Sequence, residues 1–199
     1  MRLFLLFTVL FFTSQFSYSQ REVGSYVHHA EIGALLGTSN EGERVNFSLQ
    51  SFHGVQIDKL NTIGFFVGFD TYPDFSLMPI GFGWKHTITP EKKYSLYSSL
   101  DLGYGSAWFQ KEETENGFQS WNEGGFMASP AIGLKKKDRS GKDKYSLAIG
   151  FKRQYARSYE GRLSSGVSRP VDGIPPWFDS LFEEKFVFNN LFIRLGMIF

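Results

Sequence analysis

Cysteine is absent from the 199 residues, which excludes disulfides, thiolate metal sites and thiol nucleophiles and leaves the redox compartment unread. Long apolar runs are scarce as well. The mean hydropathy of −0.22 excludes a helical membrane bundle, which needs several apolar segments of about 20 residues. Neither sign of charge dominates: 21 basic against 20 acidic residues leave a net charge of +1 and no reason to expect a nucleic-acid partner. Beyond the first segment, convincing helical periodicity is lacking. What the chain has in quantity is aromatic side chains, at 18% of residues, 22 of them Phe. The length suits one domain, or an export signal followed by one.

The N-terminal segment reads as an address. Met1–Arg2 precedes an apolar run from Leu3 to Phe12, too short to cross a bilayer as a mature helix but suited to a secretory signal. Ser17 and Ser19 supply small side chains before a cut at Gln20, so 1–19 is expected to be a signal peptide. No cysteine follows it, which excludes a lipoprotein anchor.

After the signal the chain alternates. Eight segments with period two are expected as strands, at 26–36, 44–57, 62–72, 77–88, 94–108, 125–136, 144–158 and 185–199. Ile63, Phe65, Val67 and Phe69 share a face, as do Val187, Leu191, Ile193, Leu195, Met197 and Phe199. A soluble sandwich alternates too, so the opposite faces decide. They collect the strand glycines, among them Gly54, Gly83, Gly103 and Gly133, together with Glu31, Asp70, Lys85, Asp101, Lys152 and Arg194. Glycines on a solvated sandwich face would weaken its strands without gain, whereas the narrow interior of an eight-stranded barrel needs small residues. The expectation is an all-β, antiparallel, up-and-down transmembrane barrel, apolar outside and polar inside. The two longest connections, 109–124 and 159–184, fall at one end, as in barrels with long outer loops. Tyr94 and Tyr145 are expected at one rim, and Tyr72, Trp108 and Tyr155 at the other, as interfacial girdles.

With these features the chain resembles the small eight-stranded, porin-like outer-membrane β-barrel proteins of Gram-negative bacteria. The ending Leu191-Phe192-Ile193-Arg194-Leu195-Gly196-Met197-Ile198-Phe199 looks like their C-terminal assembly signal, carried by Leu195, Met197 and Phe199. The resemblance implies insertion by the barrel-assembly machinery, contact with outer-membrane lipid and lipopolysaccharide, and both termini in the periplasm. The implied organisation is a short periplasmic leader at 20–25 and a barrel at 26–199. Members of this class serve as structural components, adhesins, narrow pores or lipid-modifying enzymes, so fold alone selects no activity.

Three candidate sites follow. The six charged lumen residues are expected to pair into a plug, because an unpaired buried charge costs several kcal/mol. An occluded lumen therefore ranks ahead of a narrow solute pore. Ser51 and His53 lie two apart on one outward face, close enough for a base to activate a hydroxyl. The class's deacylases use the reverse order, His-x-Ser. Here no neighbouring acid orients the imidazole, and the pair sits toward the periplasmic half, so no catalytic residue is assigned. His28 and His29, being adjacent on a strand, point to opposite faces and read as a polar strand entrance, and no metal or other cofactor is expected. Finally, Phe118, Trp121, Trp177 and Phe178 make the two long loops candidate surfaces for an unidentified extracellular ligand, with a short helical turn expected after Pro176. The leading function is a structural or binding role rather than an enzymatic one, with lipid modification as the alternative.

Overall fold

The computed structural model describes residues 24–39, 42–73, 76–108, 112–164 and 177–199. The signal segment, most of the leader, and Arg169–Pro176 of the longest loop lie outside the described residues. The strands are β1 (Tyr26–Ser39), β2 (Gly42–Gln56), β3 (Asn61–Thr71), β4 (Ser76–Thr87), β5 (Tyr94–Ser106), β6 (Glu113–Glu115), β7 (Phe118–Glu123), β8 (Gly125–Lys137), β9 (Asp143–Leu163) and β10 (Phe178–Ile198). Every pairing is antiparallel. β1 to β5, β8, β9 and β10 form a ring of eight, closed where β1 meets β10 from Gly37↔Asn190 to His29↔Ile198. The seam is extended by Phe199, which donates its N–H to the His28 carbonyl at 2.9 Å. All eight expected strands are present, most with ends within two residues of the expected bounds.

Two differences concern the loop end. The segment expected as a loop at 109–124 contains a hairpin, β6–β7, turned at Asn116 and Gly117, both with positive φ (50° and 79°). Two consecutive left-handed residues give the type I′ turn that matches strand twist, and Asn-Gly is its preferred sequence. The segment 159–184 is also shorter as a loop than expected. β9 and β10 stay paired out to Phe178↔Leu163, so Phe178 starts a strand where a helical turn was expected. Each of these two strands has 21 residues, against the about 9–11 that a bilayer crossing requires. β7 pairs with the upper part of β9, so β6, β7, β9 and β10 rise above the ring as one ribbon.

The wall has two solvents. Outward side chains form an exposed apolar band that includes Ile63, Phe82 (79% exposed), Ile132, Ile149, Leu191 and Leu195. Inward positions are more buried and alternate with it along most of β8, along β9 from Ser146 to Arg157 and along β10 from Phe186 to Ile198. Among the described residues no helix is long and apolar enough to cross a membrane; strands are the spanning elements at issue.

Candidate functional site

All six charged residues read as lumen-facing point inward and are buried. The structure joins them through neighbours into three links that span the interior. Lys85 of β4 reaches β1, with Nζ 3.1 Å from Glu31 Oε2, and donates to His29 Nδ1 at 2.9 Å. His29 Nε2 in turn meets Ser146 Oγ at 2.7 Å. Lys152 of β9 pairs with Asp70 of β3, which also accepts from Ser48 Oγ at 2.7 Å. Arg194 Nη2 donates to the same Ser48 oxygen at 3.4 Å. Asp101 of β5 accepts from Gln50 Nε2 of β2 at 2.8 Å. None of these cation–acid links joins adjacent strands, so each acts as a strut across the barrel. His29, expected at a polar strand entrance, is a lumen residue instead. Its parity with Glu31 was the available signal.

Rings fill the space between the struts. Phe52, Phe66, Tyr97 and Phe192 are inward and buried, an exception to the expected apolar-outside, polar-inside wall. The lumen glycines explain how they fit. A Cβ on Gly54 would lie 2.6 Å from the Phe52 ring, one on Gly83 2.9 Å from it, and one on Gly133 2.5 Å from Tyr97. The Phe52 and Tyr97 rings thus occupy space that side chains at these glycines would fill. Cations rest on the lumen rings: Lys85 Nζ is 4.9 Å from the Phe52 centroid, and the Arg194 guanidinium 4.2 Å from that of Phe192. At the loop end Tyr72 stacks on Phe188 at 4.3 Å, and the Arg44 guanidinium sits 4.9 Å over Phe188. Tyr72 is therefore a lumen cap and not a girdle residue, because it shares the parity of Asp70. Trp108 and Tyr155 are exposed at the loop end, and Tyr94 and Tyr145 at the end where the termini meet.

On the outer wall, near that terminal end, Ser51 lies at the centre of a polar chain. Its Oγ is 2.9 Å from His53 Nε2 and 2.9 Å from His28 Nε2. The Tyr26 hydroxyl bonds the other His53 nitrogen, Nδ1. The His28 and His53 rings stack at 4.6 Å and are flanked by Phe199 and Phe65. The sequence reading had no partner to orient His53; cross-strand pairing of β1 with β2 supplies Tyr26, because His28 stands opposite His53. Chemically the array can pass a proton between a hydroxyl and two imidazoles. His86, beside it on the outward face, shares the Asn61 side-chain oxygen with Trp84 Nε1, each at 2.9 Å.

The four loop aromatics are not brought together as one exposed surface. Phe118 (44% exposed) and Trp177 (66% exposed) are open, whereas Trp121 is half-buried and stacks on Tyr159 at 5.1 Å and on Phe178 at 5.6 Å. Phe178 is buried over Gly161, so it serves the ribbon's packing. Leu195, Met197 and Phe199 are all outward and exposed. Among the described residues no group of three or more His, Asp or Glu side chains is placed to hold a metal ion.

No family model matches the chain, and no curated protein matches it. Among solved structures it is similar to the crystal structure of Neisserial surface protein A, with 14% identity, a TM-score of 0.48, and coverage of 88% of this chain and 99% of that one.

Proposed function

We infer that the chain is an integral outer-membrane barrel with an occluded lumen, whose loop end faces outward and carries a structural or binding role. The observation that supports this best is the pairing of opposite faces in one wall. An exposed band of large apolar side chains surrounds an interior of ion pairs, and only a lipid exterior makes both favourable. On this reading outer-membrane lipid and lipopolysaccharide cover the band. The barrel-assembly machinery reads the outward Leu195, Met197 and Phe199, both termini are periplasmic, and the partner of the ribbon is extracellular. The test is fractionation of an expressing Gram-negative cell combined with unboiled gel migration. The chain is expected in the outer membrane as a compact, heat-shifted band; recovery from the soluble fraction would refute the reading.

The array on the outer wall favours a second reading, ester hydrolysis on membrane lipid. Ser51 would be the nucleophile, His53 its base, and Tyr26 the group that orients the base. Ser51→Ala and His53→Ala should then each abolish release of fatty acid from inner-leaflet phospholipid of the outer membrane. Unchanged lipid profiles leave the array a polar interfacial belt.

A further inference from the structure

The barrel wall is interrupted on one side, just above the apolar band. The β8–β9 ladder ends at Met127↔Gln154, and the β7–β9 ladder resumes at Glu123↔Arg157. Residues 124–126 therefore face only 155–156, a one-residue excess that unzips the wall locally. Gln154, buried and inward, holds the gap open. Its Nε2 donates to the Gly125 carbonyl at 3.0 Å and the Tyr155 carbonyl at 2.7 Å, tying the two edges of the break through one side chain. A Cβ at Gly124 would fall 1.6 Å from the Gly105 carbonyl oxygen, so the chain passes there only because the position is bare.

The interruption opens into a cleft of about 730 Å³. Tyr104, Phe126 and Tyr155 line its membrane side, and Arg157, Lys185 and Glu123 the side toward the ribbon. Arg157 Nε and Lys185 Nζ share one carboxylate, that of Glu183, at 3.6 and 3.7 Å, and both cations are exposed. With the Arg153 guanidinium 5.2 Å over the Tyr155 ring, three cations stand against Glu123 and Glu183. Along the wall the aromatic rings lie next to the apolar band and the exposed Arg157 and Lys185 lie above them, the order of chain and phosphate in an anionic lipid.

We propose that this cleft binds one membrane amphiphile with a phosphate-bearing headgroup. The phosphate lies between Arg157 and Lys185, and one acyl chain lies against Phe126 and Tyr104. Both cations can turn from Glu183 to the phosphate, which offers more acceptor oxygens. The proposal rests on the outer-membrane reading, since it needs lipid beside the apolar band.

The test uses the chain without its signal segment, refolded in neutral detergent micelles, with native mass spectrometry to count bound lipids and unboiled gel migration to verify folding. Dioleoyl phosphatidic acid is expected to give a one-to-one adduct that dioleoyl phosphatidylcholine does not. Arg157→Gln with Lys185→Gln should weaken it at least about tenfold, the worth of one charge-assisted contact. Phe126→Ala should also weaken it, while Lys136→Gln, an exposed cation at the opposite end of β8, should not. Equal binding of phosphatidylcholine, or full binding by the double variant, overturns the site. Displacement of the lipid by millimolar inorganic phosphate would overturn the amphiphile and leave a plain anion site. A chain that does not fold in micelles overturns the membrane reading and this site with it, whereas a folded barrel without adducts overturns this site alone.

Discussion

Gln50 Nε2 lies 2.8 Å from Asp101 Oδ2, although β2 and β5 are separated in the ring by two other strands. A bond of that length between non-adjacent strands crosses part of the interior, as the proposed occluded lumen requires. Purified protein in planar bilayers is therefore expected to show no steady conductance. Removing Phe52, Phe66 and Tyr97 together by alanine substitution should create one, because those rings occupy what the struts leave free. Reproducible channels from the unaltered chain would contradict an occluded lumen.

The Lys152–Asp70 pair offers a test of what burial demands. Lys152→Met leaves the Asp70 carboxylate unpaired in the interior and should cost about 3–5 kcal/mol in urea unfolding from lipid vesicles. Pairing Lys152→Met with Asp70→Leu should recover most of that loss, since an apolar pair of similar volume needs no desolvation. If the double variant is as unstable as the single, the charge itself, and not its orphaning, is what the lumen needs.

Gly133 and Tyr97 give a steric prediction. A valine at 133 would press into the Tyr97 ring, which has no free side to move to, so Gly133→Val should cost about 1–3 kcal/mol by overpacking. Combining it with Tyr97→Ala should relieve the part of the cost due to the ring, while the Leu147 carbonyl oxygen, 2.7 Å from such a Cβ, keeps the rest. Equal instability in the pair would point instead to a backbone requirement at Gly133.

Two exposed turns carry a pH signature. Asp58 accepts from the Asn61 amide and from the backbone N–H groups of Leu60 and Asn61, and these bonds hold its carboxyl below the ordinary aspartate value. Asp138 is lowered in the same direction, first by the Ser140 hydroxyl and then by the backbone N–H groups of Ser140 and Lys142. A carboxyl whose folded pKa is depressed adds stability that is complete above its unfolded value and is lost as pH falls through the folded one. Order in these turns should accordingly persist at neutral and mildly acidic pH and loosen only below the ordinary aspartate range. Amide exchange at Leu60 and Ser140 across an acid titration measures it, and Asp58→Asn should remove the dependence at Leu60.

Much of the fold was legible because a lipid-facing wall writes its parity in large residues. Ile63, Phe65 and Val67 could not all face a narrow interior, and the charged positions opposite them could not face lipid. The lumen aromatics were harder to read. Phe66 lies inside the run Phe65-Phe66-Val67, where hydrophobicity carries no alternation, and Phe52 lies between Ser51 and His53, where it runs backwards. The β6–β7 hairpin was readable from Asn116-Gly117 but is flanked by a run of glutamates that looks like a solvated loop. The Tyr26–His53 contact depends on the β1–β2 register, which a single sequence leaves open. So does the wall break at Gly124, which arises from a one-residue mismatch between two ladders.

The length of β9 and β10 bears on reach. Beyond Tyr155 at the upper edge of the apolar band, β9 continues through eight more paired residues to Leu163, roughly 20 Å of height at the usual strand rise and tilt. A loop of that many residues would sample many heights, and a partner would have to freeze it on contact. If the ribbon faces outward as proposed, its ladder would set the standoff at which another surface meets the barrel and would remove much of the entropy loss from that meeting.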